Sequence, residues 1–197
     1  GAELLGKALN QFFGPLLRII KEWGGDVLKF SGDALTIVWP VSNAPGACQS
    51  LRQAVLRASQ CCIDMEAMSQ RQLDEADNMP PPSPTVSVSQ ESMDSSDGVT
   101  FSMHCGLGAG MCTILQVGGK HDRWEYVVCG PPLEQIAFAE PLAESGETVL
   151  SPQAWRMISD QFIEGTPIED EKSGGAFNFA THHGGRLGPD APAAGDG

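Results

Sequence analysis

Basic residues are scarce in this chain. Twelve Lys and Arg stand against 25 Asp and Glu, giving a formal net charge of -13 and an isoelectric point near 4.5. Non-specific nucleic-acid binding rests on clustered Lys and Arg, so the composition argues against a nucleic-acid partner. An anionic nucleotide meets the same repulsion, and a nucleotide site here would depend on divalent cations or on basic groups lent by a second chain. Long apolar runs are missing too. None approaches the ~20 residues that a membrane-spanning helix requires, and no charged-then-apolar leader with a cleavage site opens the chain. The sequence therefore predicts a soluble, cytoplasmic protein without a membrane span. Its six cysteines form no CxxC pair and no Cys/His spacing suited to zinc, which predicts free, mostly buried thiols. Also absent is an initiator Met: the chain begins Gly1-Ala2-Glu3-Leu4, already in helical pattern, and reads as a piece of something longer.

What is present suffices for one domain with a sizeable core: 197 residues, 41% of them apolar. Leu4, Leu5, Ala8, Leu9, Phe12, Phe13, Leu16, Leu17, Ile20 and Trp23 recur at helical spacing, with a kink or restart expected at Gly14-Pro15. Gly24-Gly25 stops this helix. Residues 27–30 and 34–39 then read as strands around a tight turn at Ser31-Gly32-Asp33. A second helix is predicted from Ala47 to about Gln70. Residues 71–98, with Pro80-Pro81-Pro82-Ser83-Pro84 and few apolar residues, read as a disordered insertion that splits the domain into 1–70 and 99–183. After it the patterns predict a strand at 99–106 whose hairpin partner is 111–117, a strand at 124–129, a helix from Leu133 to about Glu144, a strand at 148–150 and a short helix after Ser151-Pro152. A disordered tail occupies 184–197.

Asp33 carries the chemical interest. The turn puts a carboxylate at the tip of a hairpin between two apolar strands, and hard oxygen ligands on rigid elements suit Mg²⁺. A polar turn is the ordinary reading of such a tripeptide, so the turn alone settles nothing. Its surroundings say more. The stretch from Trp23 to Leu35 resembles the hairpin of class III nucleotidyl cyclase catalytic domains, in which a Gly-Asp turn carries one of two metal-binding aspartates. The opening helix, Gly106-Leu107-Gly108-Ala109-Gly110, Tyr126-Val127-Val128-Cys129-Gly130 and Thr148-Val149-Leu150-Ser151-Pro152 follow in the order and spacing of soluble adenylyl cyclases. The likeness covers about residues 1 to 158 and is closest to the first cyclase domain of that group. Gly24-Gly25-Asp26 is also similar to the GGDEF signature of diguanylate cyclases, but it joins a helix to a strand and continues Val-Leu.

The resemblance implies an α+β fold, ferredoxin-like βαββαβ, with helices packed on an antiparallel sheet and the first strand, which bears the other metal aspartate, lying before this chain. It implies adenylate cyclase activity, forming cyclic AMP and pyrophosphate from ATP with Mg²⁺ or Mn²⁺, when the domain is paired with a second cyclase domain. Asp33 would be the metal ligand. Departures from the family pattern fall on the helix after residue 130. The transition-state Asn and Arg are replaced by Glu134 and Phe138, and neither can neutralise a pentavalent phosphorus, so the pair's partner must supply those groups. Lys29 stands where the family recognises adenine or holds bicarbonate, and the arginine of the bicarbonate pocket is replaced by Ala137. The resemblance leaves open a catalytically degenerate module kept for dimerisation, regulation or scaffolding, and guanylate cyclase activity. His104, His121, His182 and His183 read as structural or surface residues, and Trp23, Trp39, Trp124 and Trp155 as core.

Overall fold

The computed structural model describes residues 2–77, 101–168 and 176–182. Helix α1 (Ala2–Glu22) is continuous through Pro15, so of the kink or restart expected at Gly14-Pro15 the restart does not occur. Proline deletes one backbone donor, and the carbonyl it leaves unpaired, that of Gln11, belongs to an exposed residue. The helix is fixed instead by its buried stripe of Phe12, Leu16, Ile20 and, just past its end, Trp23. It ends as the Gly-Gly pair predicts. Gly24 adopts φ 74°, its N–H donates to the Lys21 carbonyl at 3.0 Å, and that of Gly25 donates to Ile20 at 2.9 Å, the paired bonds of a Schellman motif.

Strands β1 (Asp26–Ser31) and β2 (Ala34–Val38) pair antiparallel from Asp26↔Val38 to Ser31↔Ala34, with an irregularity between Val27 and Lys29. Gly32 takes φ 67° at the first turn position, as a two-residue hairpin turn of this kind needs. Helix α2 (Leu51–Asp77) starts four residues later than predicted and runs seven further. Residues 71–77, assigned from composition to the insertion, are thus helical: Gln70-Arg71-Gln72-Leu73 are good helix formers that extend the helix. The remainder of that insertion and the 184–197 tail lie outside the described residues.

Beyond it, β3 is only Cys105–Leu107. Its partner is β6 (Thr148–Leu150), paired in parallel, and not the 111–117 segment. That segment belongs to β4 (Thr113–Lys120), which forms its own antiparallel hairpin with β5 (Arg123–Cys129). The physical reason lies in connection length. Parallel neighbours need a long crossover, and β4, β5 and helix α3 (Pro131–Ala139) together provide it. A 3₁₀ turn at Glu140–Leu142 replaces the last part of the helix expected to reach Glu144, since Pro141 cannot continue it. Helix α4 (Pro152–Ile158) is capped by the Ser151 side chain, which accepts from the Ala154 N–H at 3.1 Å. Strands β7 (Phe162–Ile168) and β8 (Ala176–His182), not anticipated from the sequence, extend β3 and β6 into a four-stranded sheet ordered β3-β6-β8-β7.

One core joins these parts. Phe12, Leu16, Ile20 and Trp23 from α1 meet Val55, Ala58, Cys61, Cys62 and Met65 from α2, and Leu107, Leu150, Ala154 and Ile158 from the sheet and α4, while Val27, Leu35, Ile37 and Trp39 of the first hairpin pack against the edge. Trp23 is the anchor, 2% exposed. Its indole donates to Asp64 Oδ2 at 2.8 Å, and its carbonyl accepts from the Trp39 indole at 3.1 Å. The order α1, β1, β2, α2, β3 matches the expected ferredoxin-like order after its first strand. No described helix is long and apolar enough to cross a membrane.

Candidate functional site

Two places carry the sequence-derived candidates. The first is the β1–β2 hairpin. Its strands are held against the core by Val27, Leu35 and Ile37, and its tip reaches solvent with Asp33 exposed. Lys29 sits in β1 opposite Thr36, next to the irregularity after Val27, and is also exposed. A single carboxylate oxygen donor on a supported tip is the ligand type that Mg²⁺ or Mn²⁺ accepts. It is one ligand only: no group of three or more His, Cys, Asp or Glu side chains among the described residues could hold a metal ion. Asp33 by itself fits no more than one position of a metal site.

The second place is α3. Its start is set by Gly130 at φ 133°, where a Cβ would stand 2.7 Å from the Met111 carbonyl, followed by Pro131-Pro132 in the first turn. The glycine-rich segment packs beneath it. A Cβ on Gly108 would lie 2.4 Å from the Pro132 carbonyl, and one on Gly106 2.6–2.8 Å from Glu140, so only glycine allows this approach of strand end to helix. Gln135 clamps the contact. Its Oε1 accepts from the Ala109 N–H at 2.8 Å and from the Ser151 hydroxyl at 2.8 Å, while its Nε2 donates to the Ala109 carbonyl at 3.1 Å. With one face so occupied, Glu134, Ala137 and Phe138 are left exposed, Phe138 by 48%. A carboxylate and a phenyl ring are thus exposed on the outer face of α3.

Other expectations resolve as follows. The six thiols are free, with Cys48, Cys61 and Cys62 buried and Cys129 exposed. His104 pairs with Glu140 at 2.9 Å, and His121 is an exposed turn residue at φ 56°. His182 ends β8, its side chain outside what is described, and His183 is among the residues not described. Trp124 corrects the sequence reading, which placed it in the core. It is 54% exposed because β4 and β5 form a two-stranded hairpin that, among the described residues, no third strand extends. Both faces of this hairpin are apolar: Leu115, Val117 and Val127 on one, Ile114, Trp124 and Tyr126 on the other, each about half exposed. The sequence did carry that signal, as apolar residues at consecutive and not alternating positions. Gln135 gave no signal, since a helix glutamine is ordinarily solvated.

No family model matches the chain. Among curated proteins it is similar to adenylate cyclase type 10 of mouse, 25% identical over 173 residues, or 88% of this chain, and to that of human, 23% identical over the same span. The chain spans 9% of the length of these relatives. Among solved structures it is similar to the adenylyl cyclase CyaB from P. aeruginosa, with a TM-score of 0.63 at 18% identity over 92% of this chain and 84% of that one. The guanylyl cyclase Cya2 gives 0.64 at 17% identity over 92% and 83%. A dimeric guanylyl cyclase domain from the aquatic fungus Blastocladiella emersonii gives 0.62 at 13% identity over 92% and 86%.

Proposed function

Because the chain is built as a class III nucleotidyl cyclase domain, we propose that it is the metal-binding half of an adenylate cyclase, active only when paired with a complementary cyclase domain. The observation that carries the reading is the asymmetry of its candidate residues. Asp33 keeps the carboxylate on an exposed, core-supported hairpin tip, while α3 presents Glu134 and Phe138 where the family's chemistry calls for an amide and a cation. Such a domain contributes a ligand and lacks the groups that face the phosphate.

In the paired enzyme Asp33 would help hold Mg²⁺ or Mn²⁺, and the bound metals would activate the ribose 3′-hydroxyl and neutralise the departing pyrophosphate. Lys29 would project from β1 into the substrate or regulator pocket. Glu134 would repel the triphosphate, which keeps the nucleotide on the partner's cationic side. The partner would supply base recognition and the Asn and Arg of the transition state. The net charge of -13 supports this division, since an anion gains little from this chain without cations brought from outside. The half-exposed apolar faces of β4–β5 supply an interaction surface of the kind that monomers seldom leave open. ATP is preferred to GTP on the similarity to adenylate cyclase type 10.

The test is cyclic nucleotide formation in Mn²⁺ or Mg²⁺, with ATP and with GTP, by the chain extended upstream and paired with a domain carrying the Asn and Arg. Cyclic AMP formation that Asp33→Ala abolishes in a folded protein is the expected result. One specific observation favours a second reading, a catalytically degenerate module for dimerisation, regulation or scaffolding: α3 has lost both transition-state residues while its packing on the glycine-rich segment is intact. No product from either nucleotide by a folded pair would establish that alternative.

A further inference from the structure

Glu66 lies on α2 one turn beyond Cys62 and is turned toward the sheet, partly buried. The hydroxyl of Thr148, the first residue of β6, donates to its carboxyl oxygen. Thr148 is 2% exposed, and the next two residues of the strand, Val149 and Leu150, are fully buried. The groups facing this carboxyl from each neighbouring element are few. From α2 itself comes the Cys62 thiol, and from the turn entering β6 comes Glu147. No Lys or Arg forms an ion pair with Glu66 among the described residues.

An ionised Glu66 is therefore a charge withdrawn from water, with a second carboxylate nearby and one hydroxyl as its compensation. A buried charge without a counter-ion is costly, and the usual outcome is that the group holds its proton. Burial raises the Glu66 pKa to about 7, with the Thr148 bond opposing the rise and Glu147 adding to it. The location matters because β6 pairs with β3 on one side and β8 on the other and ends at the Ser151 cap of α4.

We propose that the packing of α2 on β6 at Glu66 is a proton-operated latch, tightest while the carboxyl is protonated and loosened when ionisation leaves a buried charge that the Thr148 hydroxyl only partly compensates. Nothing in the proposed cyclase chemistry uses Glu66, so this device stands or falls independently of that reading. Its direction follows from linkage. The folded-state value lies above that of the exposed carboxyl, so the stabilising effect is full below the ordinary value of 4.5 and is lost as pH rises through about 7.

Amide hydrogen exchange on the whole chain, expressed as protection factors so that intrinsic pH dependence cancels, reads the latch at Val149 and Leu150. In the wild type, protection should fall by about tenfold per pH unit between the ordinary carboxylate range and about 7, then level off. The comparison is Glu66→Gln, which should abolish the fall and leave the His104–Glu140 pair beside the sheet untouched. An equal fall in Glu66→Gln would overturn the proposal. Should that variant fail to fold, the carboxyl carbon resonance of Glu66 in the wild type decides: a midpoint near 7 supports the latch, and a midpoint in the ordinary carboxylate range refutes it.

Discussion

Replacing Gln135 by Leu keeps a side chain of similar bulk on α3 and deletes every polar atom of the clamp. Three bonds vanish together: those from the Ala109 N–H and the Ser151 hydroxyl, both 2.8 Å, and that to the Ala109 carbonyl, 3.1 Å. Ala109 is 6% exposed and Ser151 2%, so the abandoned donors have little recourse to water. An orphaned buried donor costs about 1–3 kcal/mol. Gln135 itself is only partly buried, so water reaches part of the site, which puts the total for the two donors near the lower end, about 2–3 kcal/mol. For a domain of this size that is a drop of about 4–12 °C in Tm. Thermal denaturation followed by circular dichroism measures it, and amide exchange at Ala109 localises it. A Leu variant melting within about 1 °C of wild type, with the Ala109 amide still protected, would show that the clamp is incidental and that the glycine-rich segment holds α3 by shape alone.

Four other outcomes follow from the geometry. Gly108→Ala drives a Cβ to 2.4 Å from the Pro132 carbonyl, and a backbone atom cannot rotate away; a loss of about 1–3 kcal/mol is expected in chemical denaturation. Glu66→Gln should raise Tm increasingly as pH rises from the ordinary carboxylate range to about 7, and a constant offset across that range would count against a titrating Glu66. Arg52 donates to the Met157 carbonyl at 2.7 Å as well as to Asp160; since Asp160 is exposed, Arg52→Ala should cost about 1 kcal/mol through the carbonyl bond, and a melt in high salt should leave most of that cost in place. Trp124→Ser should change the stability of the chain by no more than about 0.5 kcal/mol yet weaken association with a complementary cyclase domain in sedimentation velocity.

The first half of the fold was legible because its signals are local. The period of Phe12, Leu16 and Ile20, the Gly24-Gly25 stop and the Gly32 turn each act within a few residues, and the structure follows them. Failures gathered where pairing is decided at a distance. Residues 111–117 carry a good strand pattern, but whether they pair with 105–107 or with 123–129 depends on β6, some forty residues from β3 along the chain. Strands β7 and β8 were missed for want of clean alternation. The extension of α2 into residues 71–77 was masked by a composition that changes before the helix ends. Of the candidate residues, Asp33 lies in the β1–β2 turn and Lys29 in β1, positions that local pattern sets, whereas the burial of Glu66 and the clamp of Gln135 are products of tertiary packing with no mark in their neighbours.

The open β4–β5 hairpin has a consequence for how the separated chain behaves in solution. Its apolar faces are adhesive patches on every molecule, and what keeps molecules apart at neutral pH is mutual repulsion between bodies of charge -13. Colloidal stability is therefore borrowed from the carboxylates. Acidify toward the isoelectric point near 4.5 and the repulsion disappears while the adhesive faces remain, so the chain should have its solubility minimum there, and covering the hairpin with a partner should lift that minimum.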